Sequence, residues 1–254
     1  MTGQRPASSG PLFRPLWGDL HVHTVVSPCA EVEMIPPLIV RQALALGLGF
    51  IAVTDHNTAE NAAAVVAAAR GTGLAVLPGM EVQTREDAHL LCLFETVGQA
   101  LDWQAIVYAH LPPLENREDV FGAQYVVDET GAYLYTNRRL LLTATTLSAE
   151  EAVAGVARLG GLTIAAHIDR RAYSLIGSLG FIPPGLALAA VEVTRADVPI
   201  DRRLIGDRPV IVSGDAHRLS EMRADTLFRV CEPTIQELAL ALRGEAGRRV
   251  RVVP

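Results

Sequence analysis

The 254-residue chain reads as a parallel α/β sheet or barrel, and three observations point there. Short apolar runs that fit strands alternate with helix-compatible runs through short loops. Half of the residues are hydrophobic and the mean hydropathy is +0.26, enough for a sizeable core. Polar and titratable residues recur at the ends of the apolar runs, the edge where α/β sheets and barrels build their sites. No apolar run reaches the roughly 20 residues that span a bilayer. The polar stretch 1–16 lacks the apolar centre of a signal peptide and reads as a disordered lead to one domain over 17–254, with a cytoplasmic location as the default.

Taken in order, Gly18-Asp19-Leu20-His21-Val22-His23-Thr24 is a strand. Its alternation puts His21 and His23 on one face, a bidentate imidazole claw for a transition metal, and Leu20 and Val22 on the other. A loop marked by Ser27-Pro28 carries Cys29, Glu31 and Glu33. Pro36-Pro37 opens an apolar helix that stops at Gly47. Residues 50–54 form a buried strand ending in Asp55-His56-Asn57, and the alanine-rich run 59–70 is helical. The strand at 74–77 leads into Pro78-Gly79-Met80-Glu81, and 89–94 is another. The rhythm breaks over 99–147, where a helix at 99–108, a charged turn and a hairpin from Gln124 to Tyr135 read as an insertion or cap. It resumes with a helix at 149–159 and a strand at 162–166 that ends in His167. Strands at 191–193 and 210–212 follow, the second ending in Ser213-Gly214-Asp215-Ala216-His217, and a helix at 234–242 and a strand at 249–253 close the chain.

Composition excludes several chemistries. Cys29, Cys92 and Cys231 are widely spaced, with no Cys-x-x-Cys, which fits neither a disulfide framework nor a structural zinc knuckle. All 22 basic residues are Arg. Schiff-base chemistry on a lysine and a Walker-type phosphate lysine are therefore ruled out, and Arg is left as the only permanently charged side chain for a phosphate. The net charge of −6 argues against a broad grip on duplex nucleic acid.

Six of the seven histidines, His21, His23, His56, His89, His167 and His217, fall at strand ends or strand starts, joined by Asp19, Asp55, Glu81 and Asp215. Only His110, in a Pro-flanked loop, lies outside the pattern. The ordered set Asp19-Leu20-His21-Val22-His23-Thr24, Thr54-Asp55-His56-Asn57, Pro78-Gly79-Met80-Glu81, the strand-initial His89, Ala166-His167 and Ser213-Gly214-Asp215-Ala216-His217 resembles the motifs of the PHP (polymerase and histidinol phosphatase) superfamily. That resemblance implies a distorted (β/α)7 TIM-like barrel with two to three divalent metal ions, zinc, manganese or iron, at the C-terminal end of the strands. It places one metal on His21, His23, Glu81 and Asp215, and a second on Glu81, His89 and His167. A third would lie on His56, His217 and an acidic residue of the loop after His-x-His. Where the family commonly has Asp in that loop, this chain has Cys29-Ala30-Glu31; Glu31 is the first choice, with Glu33 and Cys29 as alternatives. Asp19 and Asp55 look like groups that orient ligand imidazoles.

The activity implied is metal-dependent phosphoester hydrolysis by a metal-activated hydroxide, on a small phosphorylated molecule or the end of a short oligonucleotide. Glu81, Asp215, His217 and Asp55 are the catalytic candidates. Arg170 and Arg171, just past His167, are the candidates for gripping phosphate. The expected partner is a small phosphorylated substrate, possibly a nucleotide, with neither a membrane nor duplex nucleic acid. Two rivals remain. One is a barrel hydrolase of a non-phosphate bond, whose carbamylated-lysine version the absence of Lys excludes; the other is an inactive metal-binding regulatory module.

Overall fold

The structure is a computed structural model that describes residues 12–253. Residues 1–11, most of the expected lead, lie outside the described residues, and 14–16 already belong to the first strand. Eleven strands are described: β1 (Arg14–Val22), β2 (Leu48–Val53), β3 (Ala75–Gln83), β4 (His89–Leu93), β5 (Tyr125–Val127), β6 (Tyr133–Thr136), β7 (Leu162–Ala165), β8 (Ala190–Val193), β9 (Val210–Val212), β10 (Thr226–Val230) and β11 (Arg249–Val252). Nine form one sheet in the order β11-β10-β1-β2-β3-β4-β7-β8-β9, and β5 and β6 form the expected hairpin apart from it.

β1, β2 and β3 are parallel, as are β7, β8 and β9, while β4 runs antiparallel to both β3 and β7. The arc from β1 to β9 nearly closes on itself. Val22 bridges Ala216, and the His23 amide donates to the Ala216 carbonyl at 3.0 Å. This is the expected TIM-like barrel, distorted by the reversed β4. β10 and β11 extend the sheet antiparallel beyond β1; β10, a five-residue strand after a charged loop, carries no clear sign in the residue pattern.

Two apolar clusters hold the barrel. One joins strand residues such as Leu20, Phe50, Leu91, Ile164, Ile211 and Phe228. The other packs helices on the sheet, with Ile39, Val65, Trp103 and Val156 among its members. The helix expected at 99–108 runs Val97–His110, started by a reciprocal Thr96–Gln99 capping box. It buries Ala100, Trp103 and Val107 in the core, so it is a barrel helix, and the inserted segment begins only at Leu111. That segment is tied down by the Asn57 side-chain amide, which donates to the Leu141 and Thr143 carbonyls at 2.8 and 2.9 Å. Among the described residues no helix is long and apolar enough to cross a membrane.

Helix Ala149–Arg158 meets Trp103 through Gly155, where an added Cβ would fall 2.4 Å from the indole ring. Gly to Ala inside a helix ordinarily stabilises by roughly 0.5–1 kcal/mol. Here the ring has no room to give, because Trp103 is fully buried. Gly155→Ala is expected to reverse the usual sign and destabilise the chain by about 1–3 kcal/mol, read as a lower urea midpoint at unchanged slope.

Candidate metal centre

The strand ends converge on one carboxylate. Glu81 lies near the end of β3, with its Oε1 3.4 Å from His21 Nε2, 2.8 Å from His89 Nδ1 and 3.1 Å from His167 Nε2. Its Oε2 lies 3.5 Å from His23 Nε2 and 2.9 Å from His56 Nδ1. His21 and His23 come from the end of β1, His56 follows β2, His167 follows β7, and Asp215 and His217 follow β9. His89 is the first residue of β4, and the reversed direction of that strand is what brings its start to this edge. Asp215 Oδ1 faces His21 and His23 Nε2 at 3.2 and 3.3 Å, while its Oδ2 pairs with Arg170 at 2.6 Å.

These contacts leave atoms unsatisfied. Among the described residues His21 Nε2, His23 Nε2, Glu81 Oε2 and His167 Nδ1 are buried without a hydrogen-bond partner. Buried polar atoms without partners are costly, so the convergence of the His21, His23 and Glu81 atoms asks for a ligand. The 3.2–3.5 Å separations among His21, His23, Glu81 and Asp215 are close to the roughly 3.3 Å edge of a tetrahedron with metal–ligand bonds of about 2.0–2.1 Å. Three groups have donor atoms within 4.8 Å of one another: His21, His23, Glu81 and Asp215; His56, Glu81 and His89; and His23, His56 and His217. The donors fit divalent metal ions.

The surroundings aim the imidazoles. His21 Nδ1 lies 3.1 Å from both oxygens of Glu192 in β8, a contact in which the ring N–H donates and the Nε2 lone pair faces Glu81 and Asp215. His23 Nδ1 lies 3.0 Å from Ser27 Oγ, which donates to Asp55 at 2.7 Å. His217 Nδ1 donates to the Asp215 carbonyl at 2.9 Å. Charge balance follows the same geometry. Burial works to raise the Glu81 carboxyl, but His89, His21 and His56 outweigh it and hold it well below the ordinary range. Burial, with the neighbouring His217 and His56, pushes His23 well down. Burial also raises Asp19 to about 6, against three amides, those of Gly214, Arg223 and His21, that donate to it.

Of the sequence candidates, His21, His23, His56, Glu81, His89, His167, Asp215 and His217 meet in this cluster. Glu31 does not. Its carboxylate is half-exposed and 3.4 Å from Arg218, because the loop turns that side chain outward; Glu33 is exposed as well. Asp55 is also corrected: its oxygens are taken by the Thr24 amide and hydroxyl and by Ser27, so it positions the loop and His23 instead of facing the cluster. Arg170 reaches the mouth, an opening of about 350 Å³ bordered by Cys29, Phe121, Leu142 and Tyr173, whereas Arg171 is exposed away from it. Glu192 and Ser27 were missed. An acid in the middle of the buried run Val191-Glu192-Val193 was the available signal for Glu192; for Ser27 there was none. Glu192→Gln keeps an acceptor but removes the charge behind His21, and is expected to weaken metal binding by about 10–100-fold in a chelator competition, at little change in melting temperature of the metal-free protein.

A search of curated proteins gave no match. Solved structures of similar fold include endonuclease Q from Pyrococcus furiosus, 19% identical with a TM-score of 0.66, the match covering 93% of this chain and 58% of that one. A complex of endonuclease Q with a 27-mer duplex carrying an abasic lesion at its active site gives 18% identity and a TM-score of 0.67 over the same shares. A candidate metal-dependent phosphoesterase from Bifidobacterium adolescentis gives 20% and 0.54, covering 85% of this chain and 89% of that one. This chain thus spans less than two thirds of endonuclease Q. The duplex complex overturns the expectation, drawn from net charge, that duplex nucleic acid is excluded: a site on this fold can meet a duplex, and net charge averages over a surface the ligand touches only locally. The motifs in order, their meeting at one end of a TIM-like barrel and the match of the PHP domain model to residues 19–146 agree, and the chain belongs to the PHP domain family.

Proposed function

We propose that this chain is a metal-dependent phosphoesterase acting on nucleic acid, at a strand end or an internal phosphodiester. The observation that carries the reading is the Glu81-centred cluster with its orphaned nitrogens, opening to solvent beside the Arg170 guanidinium. Divalent ions held there would supply Lewis-acid charge to phosphoryl oxygens and make water nucleophilic near neutral pH. The chain's own residues do the rest. Glu81 and Asp215 provide the anionic donors, and Glu192, Ser27 and the Asp215 carbonyl fix the rings of His21, His23 and His217. Arg170, held by Asp215, has N–H groups left for an outer phosphate oxygen.

Support for a nucleic-acid substrate comes from the ground beside the mouth. A cleft of about 480 Å³ continues from Arg170 past Arg218 and Arg223, room for a flanking phosphate. Tyr173, half-exposed and stacked on His89 at 5.1 Å between ring centres, gives the mouth an aromatic wall on which a base can stack. Endonuclease Q, which shares the fold, is itself a nuclease.

The test is hydrolysis of an aryl phosphate, an aryl phosphodiester and end-labelled single- and double-stranded oligonucleotides, with manganese or zinc and then with chelator. Chelator-sensitive cleavage of at least one oligonucleotide is expected; aryl phosphate hydrolysis with every oligonucleotide intact would refute the nucleic-acid reading. Glu81→Gln is expected to lose metal and to lower turnover on the order of 10³-fold. Arg170→Ala is expected to raise KM by the equivalent of about 1.5–3 kcal/mol, the worth of a hydrogen bond to a charged group, at unchanged metal content. Arg171→Ala serves as the control that leaves KM as it was.

A further inference from the structure

The loop after His-x-His does not supply a carboxylate, and the histidines it should serve are still there. His56 Nε2 and His217 Nε2 face each other at 3.5 Å. The other nitrogen of each ring faces elsewhere, His56 Nδ1 toward Glu81 Oε2 at 2.9 Å and His217 Nδ1 toward the Asp215 carbonyl, to which it donates at 2.9 Å. Both Nε2 atoms therefore carry lone pairs aimed at a common point. His23, fully buried, stacks on His217 at 4.0 Å between ring centres, while its Nε2 belongs to the group of His21, Glu81 and Asp215. Two neutral donors with no anion of their own make a poor home for a divalent cation.

The carboxylates within reach are spoken for. Asp215 faces His21 and His23 with one oxygen and Arg170 with the other, and Glu31 faces Arg218. The remaining group is Cys29. It borders the same opening as the His56 and His217 imidazoles, on the loop whose next-but-one amide is tied to the His217 carbonyl. The backbone fixes this choice. The Ala30 amide donates to the Ser27 carbonyl at 2.9 Å and the Glu31 amide to the His217 carbonyl at 2.8 Å. That tight turn hands Cys29 to the histidines and sends the Glu31 side chain outward.

We infer that Cys29, and not Glu31, is the anionic ligand completing the His56–His217 site, which makes it a thiolate–imidazole site for a soft ion such as zinc or iron(II). The inference rests on the reading that the cluster holds metal ions. On binding, the thiol proton goes to solvent and the sulfur lone pair forms the bond, with no change of oxidation state. A thiolate there disfavours manganese and magnesium at this one position, while the carboxylate-bridged positions around Glu81 keep their mixed nitrogen and oxygen donors.

The probe is cobalt(II), which reports thiolate coordination by a near-ultraviolet charge-transfer band and can be counted by elemental analysis. The intact chain loaded with cobalt is expected to show the band. Cys29→Ser and Cys29→Ala, at an exposed position, are expected to lose both the band and one cobalt equivalent with the metal-free fold kept, read by circular dichroism. Glu31→Gln keeps both, and Cys231→Ser keeps the band. Zinc is expected to protect Cys29 from alkylation in the wild-type chain. Full cobalt content without a thiolate band, or loss of one equivalent in Glu31→Gln but not in Cys29→Ala, overturns the assignment and leaves the metal-centre reading standing. Binding of less than one cobalt per chain overturns both.

Discussion

One buried carboxylate sets the geometry of the site. The two oxygens of Glu81 lie 2.8–3.5 Å from five imidazoles that arrive from four different strand ends. Rings packed this closely cannot all be protonated. His21 is pushed up, because Glu192, Asp215 and Glu81 outweigh its burial, while burial and the neighbouring His217 and His56 push His23 down. Such alternation within one cluster is what competition for few negative charges produces, and protons and metal ions contend for the same lone pairs. Removing Glu81's charge would leave five desolvated rings with only Asp215 and, behind His21, Glu192 to share.

Closing the barrel is what makes that convergence possible, and it carries a cost. The Val22–Ala216 bridge brings the end of β1 beside the turn after β9, so His21, His23, Asp215 and His217 are neighbours although nearly 200 residues separate them. The turns that present the ligands are strained. His167, Asp215, Asn57 and Tyr173 all adopt positive φ, at 28°, 46°, 50° and 58°, each costing on the order of 1–3 kcal/mol for a residue with a side chain. Asp19 helps to hold the turn at Asp215 by accepting the Gly214 and Arg223 amides across the seam. Gly214 is required beside it, since a Cβ there would sit 2.8 Å from Asp19 Oδ2 and 2.6 Å from the Glu221 carbonyl.

Much of this was legible because it is periodic or local. Alternation along β1 places both histidines on one face, and short strands between helices announce the barrel. What stayed hidden depends on distant pairing or on backbone turns. The reversal of β4 cannot be read from His89–Leu93 itself; only the ladder to β3 and β7 reveals why its ligand stands first and not last. The helix at Val97–His110 looked like part of an insertion, because its contact with the core depends on Gly155 of a helix some fifty residues on. Chemical likeness to Asp favours Glu31 over Cys29, but side-chain direction is set by the turn at Ser27–Glu31, which composition does not encode.

The same limit explains the misjudged partner. A net charge of −6 counts every ion in the chain once, wherever it lies. Beside the mouth Arg170, Arg218 and Arg223 line one cleft, each already paired: Arg170 with Asp215, Arg218 with Glu31 and Glu221, Arg223 with Asp225. In a charge count these pairs cancel. In hydrogen-bonding terms they do not, because a guanidinium has five N–H donors and a single carboxylate engages only part of the fork. On the proposed nucleic-acid reading, the acids act as tethers that hold three donors along one cleft while lowering the net charge. A chain with no lysine keeps this arrangement specific, since every cation it can offer a phosphate is a planar, directional one.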